Sequence, residues 1–223
     1  MKSETHLEEP IQLTIENGIY YGETSSGVPN GKGKFSHNDG SLYIGHFKNG
    51  LKSGKGKYIG KSGKYRYEGE WKDGMKDGPG YEVDYLGEAY KGNFAMDERH
   101  GYGTLKNSEG AEYAGNFVKG KKSGYGVFIW PNGSDYIGDF FDDEFNGHGV
   151  LTNDKNQIAY EGEWLVGLRH GVGTYRWQDG SKYNGNWFKG KQHGIGSVIN
   201  KHGLETKGEF CNGVCKKWYA VRN

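Results

Sequence analysis

Cysteine, net charge and long apolar runs are all in short supply in this chain of 223 residues. Its two cysteines, Cys211 and Cys215, form neither a disulfide framework nor, by themselves, a zinc site. A reduced, intracellular setting is the simplest expectation for them. The 29 basic residues are balanced by 28 acidic ones, leaving a formal charge of +1. Proteins that neutralise a phosphate backbone normally carry a clear basic excess, so nucleic acid is not an expected partner. No apolar run approaches the length of a membrane-spanning helix, and the opening MKSETHLEEP lacks the apolar stretch of a secretory leader. A mean hydropathy of −0.90 excludes a thick aliphatic core. Disorder would call for a high net charge as well, and 17 Tyr with 6 Trp supply apolar area in aromatic form. A folded chain with little aliphatic core is expected.

Glycine, by contrast, is abundant, at 41 residues, and its placement is periodic. The stretch Tyr160 to Gly180, YEGEWLVGLRHGVGTYRWQDG, holds Y-x-G-x-W, then G-x-x-x-G-x-G, then an alternating run closed by Asp-Gly. The same string returns about every 23 residues. Its opening tyrosine recurs at Tyr20, Tyr43, Tyr67, Tyr90, Tyr113, Tyr136, Tyr160 and Tyr183, with Thr206 a degenerate ninth. A glycine follows two residues later each time, and two further on stands Phe47, Trp71, Phe94, Phe117, Phe140, Trp164, Trp187 or Phe210, with Thr24 substituting in the first unit. Self-similarity at a fixed period marks a repeat protein.

A period of two in both halves of the unit means strands, and a short glycine-bearing loop between them makes a hairpin. Asp39-Gly40, Asn132-Gly133 and Asp179-Gly180 read as the turns leading to the next unit. Beyond the paired glycines lies an apolar column, Phe35, Tyr58, Leu105, Phe128, Leu151, Tyr175 and Val198, in which Glu82 is the exception. Alternation of Tyr, Gly and Trp or Phe puts rings and glycines on one face, where a ring from a neighbouring strand can lie over a glycine backbone. Glu70, Lys72 and Glu163 point the other way, toward solvent. The expected organisation is a polar tail over 1–10, a capping strand over 11–19, eight repeats over 20–205 and a degenerate C-terminal capping repeat over 206–223.

The pattern Y-x-G-x-W/F-x-x-G-x-x-x-G-x-G resembles the MORN repeat (membrane occupation and recognition nexus) over about residues 20 to 213. It departs from that pattern at Asp97 and Asp143, where glycine is expected, and at Thr24 and Thr206. The resemblance implies an all-β fold: an elongated, twisted single-layer antiparallel sheet of about eight to nine consecutive β-hairpin repeats, standing alone without a catalytic domain. It further implies a cytoplasmic place in cytoskeletal or ciliary and flagellar assemblies such as radial spokes, or in scaffolds apposed to membranes.

Little in the chain suggests catalysis. His100, His170 and His193 share one column, but a repeat width between neighbours is too far for shared coordination at about 2 Å from one ion. Asp142, Asp143 and Glu144 form an acidic hairpin tip with no cleft implied. No nucleophile elbow or phosphate-binding loop is present. No enzyme activity, cofactor, metal or small-molecule substrate is expected. Two binding readings remain. In the first, Tyr67, Trp71, Tyr90, Phe94, Tyr113, Phe117, Tyr136, Phe140, Tyr160, Trp164, Tyr183 and Trp187 line an aromatic groove for a protein partner, either a helix, an extended segment or a second copy of the chain. In the second, basic hairpin tips carrying Lys48, Lys52, Lys119, Lys121, Lys122, Arg169, Lys189 and Lys191 recruit the protein to anionic phospholipid such as phosphoinositides.

Overall fold

The computed structural model describes residues 10–219. The expected polar tail, Pro10 excepted, and the last four residues of the expected C-terminal cap lie outside that range. Among the described residues the regular structure is nineteen antiparallel strands, without a helix. The chain forms two compact units, one reaching to Ser108 and including Phe117–Gly120, the other comprising Glu109–Asn116 and the residues from Lys121 onward.

In the first unit the strands are β1 (Ile11–Ile15), β2 (Gly18–Ser25), β3 (Val28–His37), β4 (Leu42–Lys48), β5 (Leu51–Ile59), β6 (Arg66–Lys72), β7 (Met75–Val83), β8 (Ala89–Ala95) and β9 (Glu98–Lys106), each paired with its sequence neighbour. The division between the units falls within β10 (Glu112–Val118). The second unit continues with β11 (Lys121–Ile129), β12 (Asp135–Phe141), β13 (Glu144–Thr152), β14 (Ile158–Leu165), β15 (Leu168–Arg176), β16 (Lys182–Phe188), β17 (Lys191–Ile199), β18 (Glu205–Cys211) and β19 (Val214–Trp218), again paired in sequence order. Within each unit the strands make a single layer.

Every repeat is a hairpin closed by a two-residue turn with both residues left-handed, such as Asn49 (φ 51°) and Gly50 (φ 81°). That is the geometry whose twist matches the flanking strands. Asp97 and Asp143 take the place of the second-position glycine, at φ 69° and 73°. Aspartate tolerates this region better than most side chains, and here it adds a contact. The backbone N–H of Lys76 donates to Asp97 Oδ1 at 2.8 Å, and that of Lys122 to Asp143 Oδ1 at 3.0 Å. Each of these two aspartates thus ties its hairpin to the preceding one.

The third repeat shows why the motif needs both glycines and a tyrosine. Gly69 faces Gly80, and the register then shifts so that Trp71 faces Lys76. Glu70 on β6 is consequently opposed by Asp77, Gly78 and Pro79 on β7. Gly78, at φ 102°, turns the backbone through this bulge. The opened ladder is closed by a side chain: the Tyr67 hydroxyl donates to the Glu70 carbonyl at 2.9 Å. To reach it, the ring must lie across both facing glycines. A Cβ on Gly80 would sit 2.5 Å from the Tyr67 ring, and one on Gly69 2.6 Å from the Gly80 Cα. The same hydroxyl-to-carbonyl bond, three residues along, recurs from Tyr20, Tyr43, Tyr90, Tyr113, Tyr136, Tyr160 and Tyr183. Tyrosine rather than phenylalanine occupies the column for that reason.

Removing the hydroxyl should therefore cost more than its size suggests. Tyr67→Phe keeps the ring contacts but strands a carbonyl, for a loss of about 1–3 kcal/mol, whereas Lys72→Gln at an exposed position should change stability by less than about 0.5 kcal/mol. Urea denaturation compares them, and equal midpoints would contradict the bond's role.

Candidate functional site

The ring face is closed. Tyr67, Tyr90, Tyr136, Tyr160 and Tyr183 are 0% exposed, and Trp71, Phe94, Tyr113, Phe117, Phe140, Trp164 and Trp187 no more than 7%. Tyr67, Tyr90, Tyr136, Tyr160 and Tyr183 each make two perpendicular ring contacts. Tyr67 contacts Trp71 of its own repeat at 5.1 Å and Phe94 of the next at 5.0 Å, and Tyr160 contacts Trp164 at 5.0 Å and Trp187 at 5.4 Å. Such pairs contribute about 0.5–1.5 kcal/mol each beyond area burial. The expectation of an aromatic groove open to a partner is therefore corrected: these twelve side chains are the core itself, and a ring without exposed surface offers a partner nothing to touch.

Part of the covering comes from cations. Lys52 Nζ lies 4.3 Å from the Trp71 ring centroid, Lys76 Nζ 4.9 Å from that of Phe94, and Lys122 Nζ 5.5 Å from that of Phe128. The guanidinium of Arg99 sits 5.2 Å from Tyr90, and that of Arg169 4.4 Å from Trp187. Their register partners are the repeat aromatics, as in Phe47↔Lys52, Trp71↔Lys76 and Trp164↔Arg169. The long stems shield the rings while the charge rests against a π face. Burial lowers the pKa of Lys52 and of Arg169. Three of the eight cations expected at basic tips, Lys52, Lys122 and Arg169, are thus ring-face residues. Lys48, Lys119, Lys121, Lys189 and Lys191 are exposed at the tips, Lys121 in an ion pair with Asp142. Phe145 occupies the cation column in the sixth repeat and stacks on Tyr136 at 3.8 Å.

Glu82, the exception in its apolar column, answers two of these cations. It is buried, receives Lys76 Nζ at 2.5 Å, the Tyr65 hydroxyl at 2.8 Å and Arg99 at 3.2 Å. Burial alone would raise its carboxyl pKa, but these partners hold it below the ordinary value. Its role is to neutralise charge inside the ring face of the first unit.

The opposite face is open, and sequence reasoning saw only its charges. Between the paired glycines stand Tyr102 and Tyr125, both 61% exposed, Val172 at 55% and Ile195 at 39%; Ile44 and Tyr81 are likewise exposed. The middle residue of G-x-G was the signal available in the sequence. His100, His170 and His193 are not gathered: among the described residues no group of three His, Cys, Asp or Glu side chains is placed to hold a metal ion.

A family model described as MORN repeat matches eight segments, residues 20–42, 43–65, 67–84, 90–111, 113–135, 136–156, 160–182 and 183–198. No curated protein sequence matches. Similar solved structures include the TCP domain of SAS-4 (dCPAP) in complex with a proline-rich motif of Ana2 (dSTIL) of Drosophila melanogaster. It is 13% identical, with a TM-score of 0.37, over 79% of this chain and 88% of that one. Another is the TCP10 domain of Danio rerio CPAP in complex with a peptide of Danio rerio STIL, 9% identical with a TM-score of 0.30, over 90% of this chain and 84% of that one. At these scores neither likeness bears on function.

The closed ring face has a pH signature. Burial raises the pKa of Tyr20, Tyr43, Tyr67, Tyr136 and Tyr160, and it pushes Tyr90 and Tyr183 up to about 12, against about 10 in an unfolded chain. Below the unfolded value both states are protonated and stability is complete. Above it the unfolded chain releases protons first, and stability falls by about 1.4 kcal/mol per pH unit for each buried tyrosine until its folded pKa is passed. Urea midpoints should hold steady up to about pH 10 and then drop steeply. Tyrosinate absorbance that rises fully near pH 10 while the sheet stays folded would contradict the burial.

Proposed function

This chain belongs to the MORN-repeat family, and we propose that it is a non-catalytic scaffold that binds a protein partner. The supporting observation is the contrast between its faces: within each unit the rings and their covering cations use up one side of a single layer, leaving the other side with exposed aromatic and aliphatic residues, Tyr81 and Tyr102 in the first unit and Tyr125 and Val172 in the second. Apolar side chains ranged on an open sheet face are what a partner covers, and tyrosine is among the residues that anchor interfaces. The partner is a helix, an extended segment or a second copy, and the proposed setting is a cytoskeletal or ciliary assembly of the kind the family resemblance suggests. Recruitment by anionic lipid is the weaker reading, because the tips keep only five of the eight cations it relied on, one of them paired with Asp142.

Affinity purification of the tagged chain after mild crosslinking tests this. A specific protein should co-purify, or the chain should run as a defined oligomer, and Tyr125→Ala with Val172→Ala should reduce that association without lowering stability. Recovery of chaperones alone, with a strictly monomeric chain, would sink the proposal.

A further inference from the structure

Two shallow concavities adjoin on the open face of the first unit. One is lined by Ile44, Lys55, Lys57, Glu68, Glu70 and Pro79, with Gly56 and Gly69 on its floor. The other is lined by Glu68, Pro79, Tyr81, Lys91 and Tyr102, with Gly80, Gly92 and Gly103 on its floor. They share Glu68 and Pro79, so they make one trough running across the strands from β4 to β9. Its floor is the glycine column. The same facing glycines that admit the tyrosine ring on one side leave a low line between side chains on the other. Five strand spacings of about 4.8 Å give a length of about 24 Å, enough for roughly seven residues of extended chain.

Charge selects what fits. Lys32, Lys34, Lys55, Lys57 and Lys91 project exposed from this face around the trough, against Glu23, Glu68 and Glu70. Two of those carboxylates are already engaged: Glu23 accepts the Lys32 backbone N–H at 2.8 Å, and Glu68 lies 3.7 Å from Lys57 Nζ. The ammonium groups of Lys32, Lys34, Lys55 and Lys91 have no carboxylate within ion-pair distance among the described residues. Exposed Ile44, Tyr81 and Tyr102 alternate with these cations. Resting on the scaffold reading, we infer that the trough binds an extended protein segment in which carboxylates alternate with apolar side chains. Glu23, Glu68 and Glu70 would repel a continuous polyphosphate, whereas a peptide can set apolar residues beside them and its own acids beside the free lysines.

Panning the full-length chain against a displayed library of random peptides tests the inference. Enriched peptides should be rich in Asp and Glu interspersed with apolar residues, and their binding should weaken with salt. Lys55→Glu with Lys57→Glu, and separately Tyr81→Ala with Tyr102→Ala, should each weaken binding by about tenfold or more. All four residues are exposed or lie on the open face, and unchanged urea midpoints verify that the variants fold. Three outcomes overturn the trough: no enrichment, enrichment of basic peptides, or binding indifferent to both double variants. Binding of polyuridine or of phosphatidylserine vesicles that depends on Lys55 and Lys57, in place of peptide, also overturns it. A partner that still co-purifies through the second unit would then leave the scaffold reading intact.

Discussion

One hydrogen bond organises the repeat, that from the tyrosine hydroxyl to the carbonyl three residues along. At Tyr67 the acceptor is Glu70, whose carbonyl faces a bulge of three residues on the opposing strand. Satisfying it from the side requires a ring laid flat over Gly69 and Gly80, which no side chain at either position would permit. The ring so placed presents its edges to Trp71 and Phe94, which binds one hairpin to the next. Glycine weakens a strand, and here that cost is offset by a polar bond and two ring contacts per repeat.

A single layer has nothing packed against it, so it must close one face by itself. Rings alone leave gaps above them, and Lys52, Lys76, Arg99, Lys122 and Arg169 lie over those gaps with stems on apolar surface and charges on π faces. Glu82 compensates where Lys76 and Arg99 come close together. Closing one face in this way leaves the other with lighter duties, such as the bonds that Glu23 and Glu163 accept from the Lys32 and Val172 backbone N–H groups. Its side chains can vary with the partner while the ladder stays constant, which is how a repeat array becomes a binding surface.

The strands, the hairpins and the ring column were legible in the sequence because period and parity specify them. Parity also carried the cations: counting back by two from Gly56 and Gly54 reaches Lys52, on the ring side, although its closeness to the turn suggested a solvated tip. Which face was open was harder to read. Exposed-looking aromatics at Tyr160 and Trp164 are buried only because the neighbouring repeats supply Tyr136 and Trp187, contacts between units of the pattern that no single unit shows. Tyr102 and Tyr125 looked unremarkable beside the glycines flanking them. Their exposure follows from strand alternation, which turns the residue between two ring-face glycines to the opposite side, and its meaning shows only once the ring face is known to be closed.

The central claim is that the ring face is core and the opposite face is the working surface. Hydroxyl-radical footprinting of the native chain, read residue by residue by mass spectrometry, tests it most directly. Tyr102 and Tyr125 should be labelled readily while Tyr67, Tyr90, Tyr136 and Tyr160 stay protected until the protein unfolds. Labelling of the column tyrosines at rates matching Tyr102 in the folded protein would contradict the account.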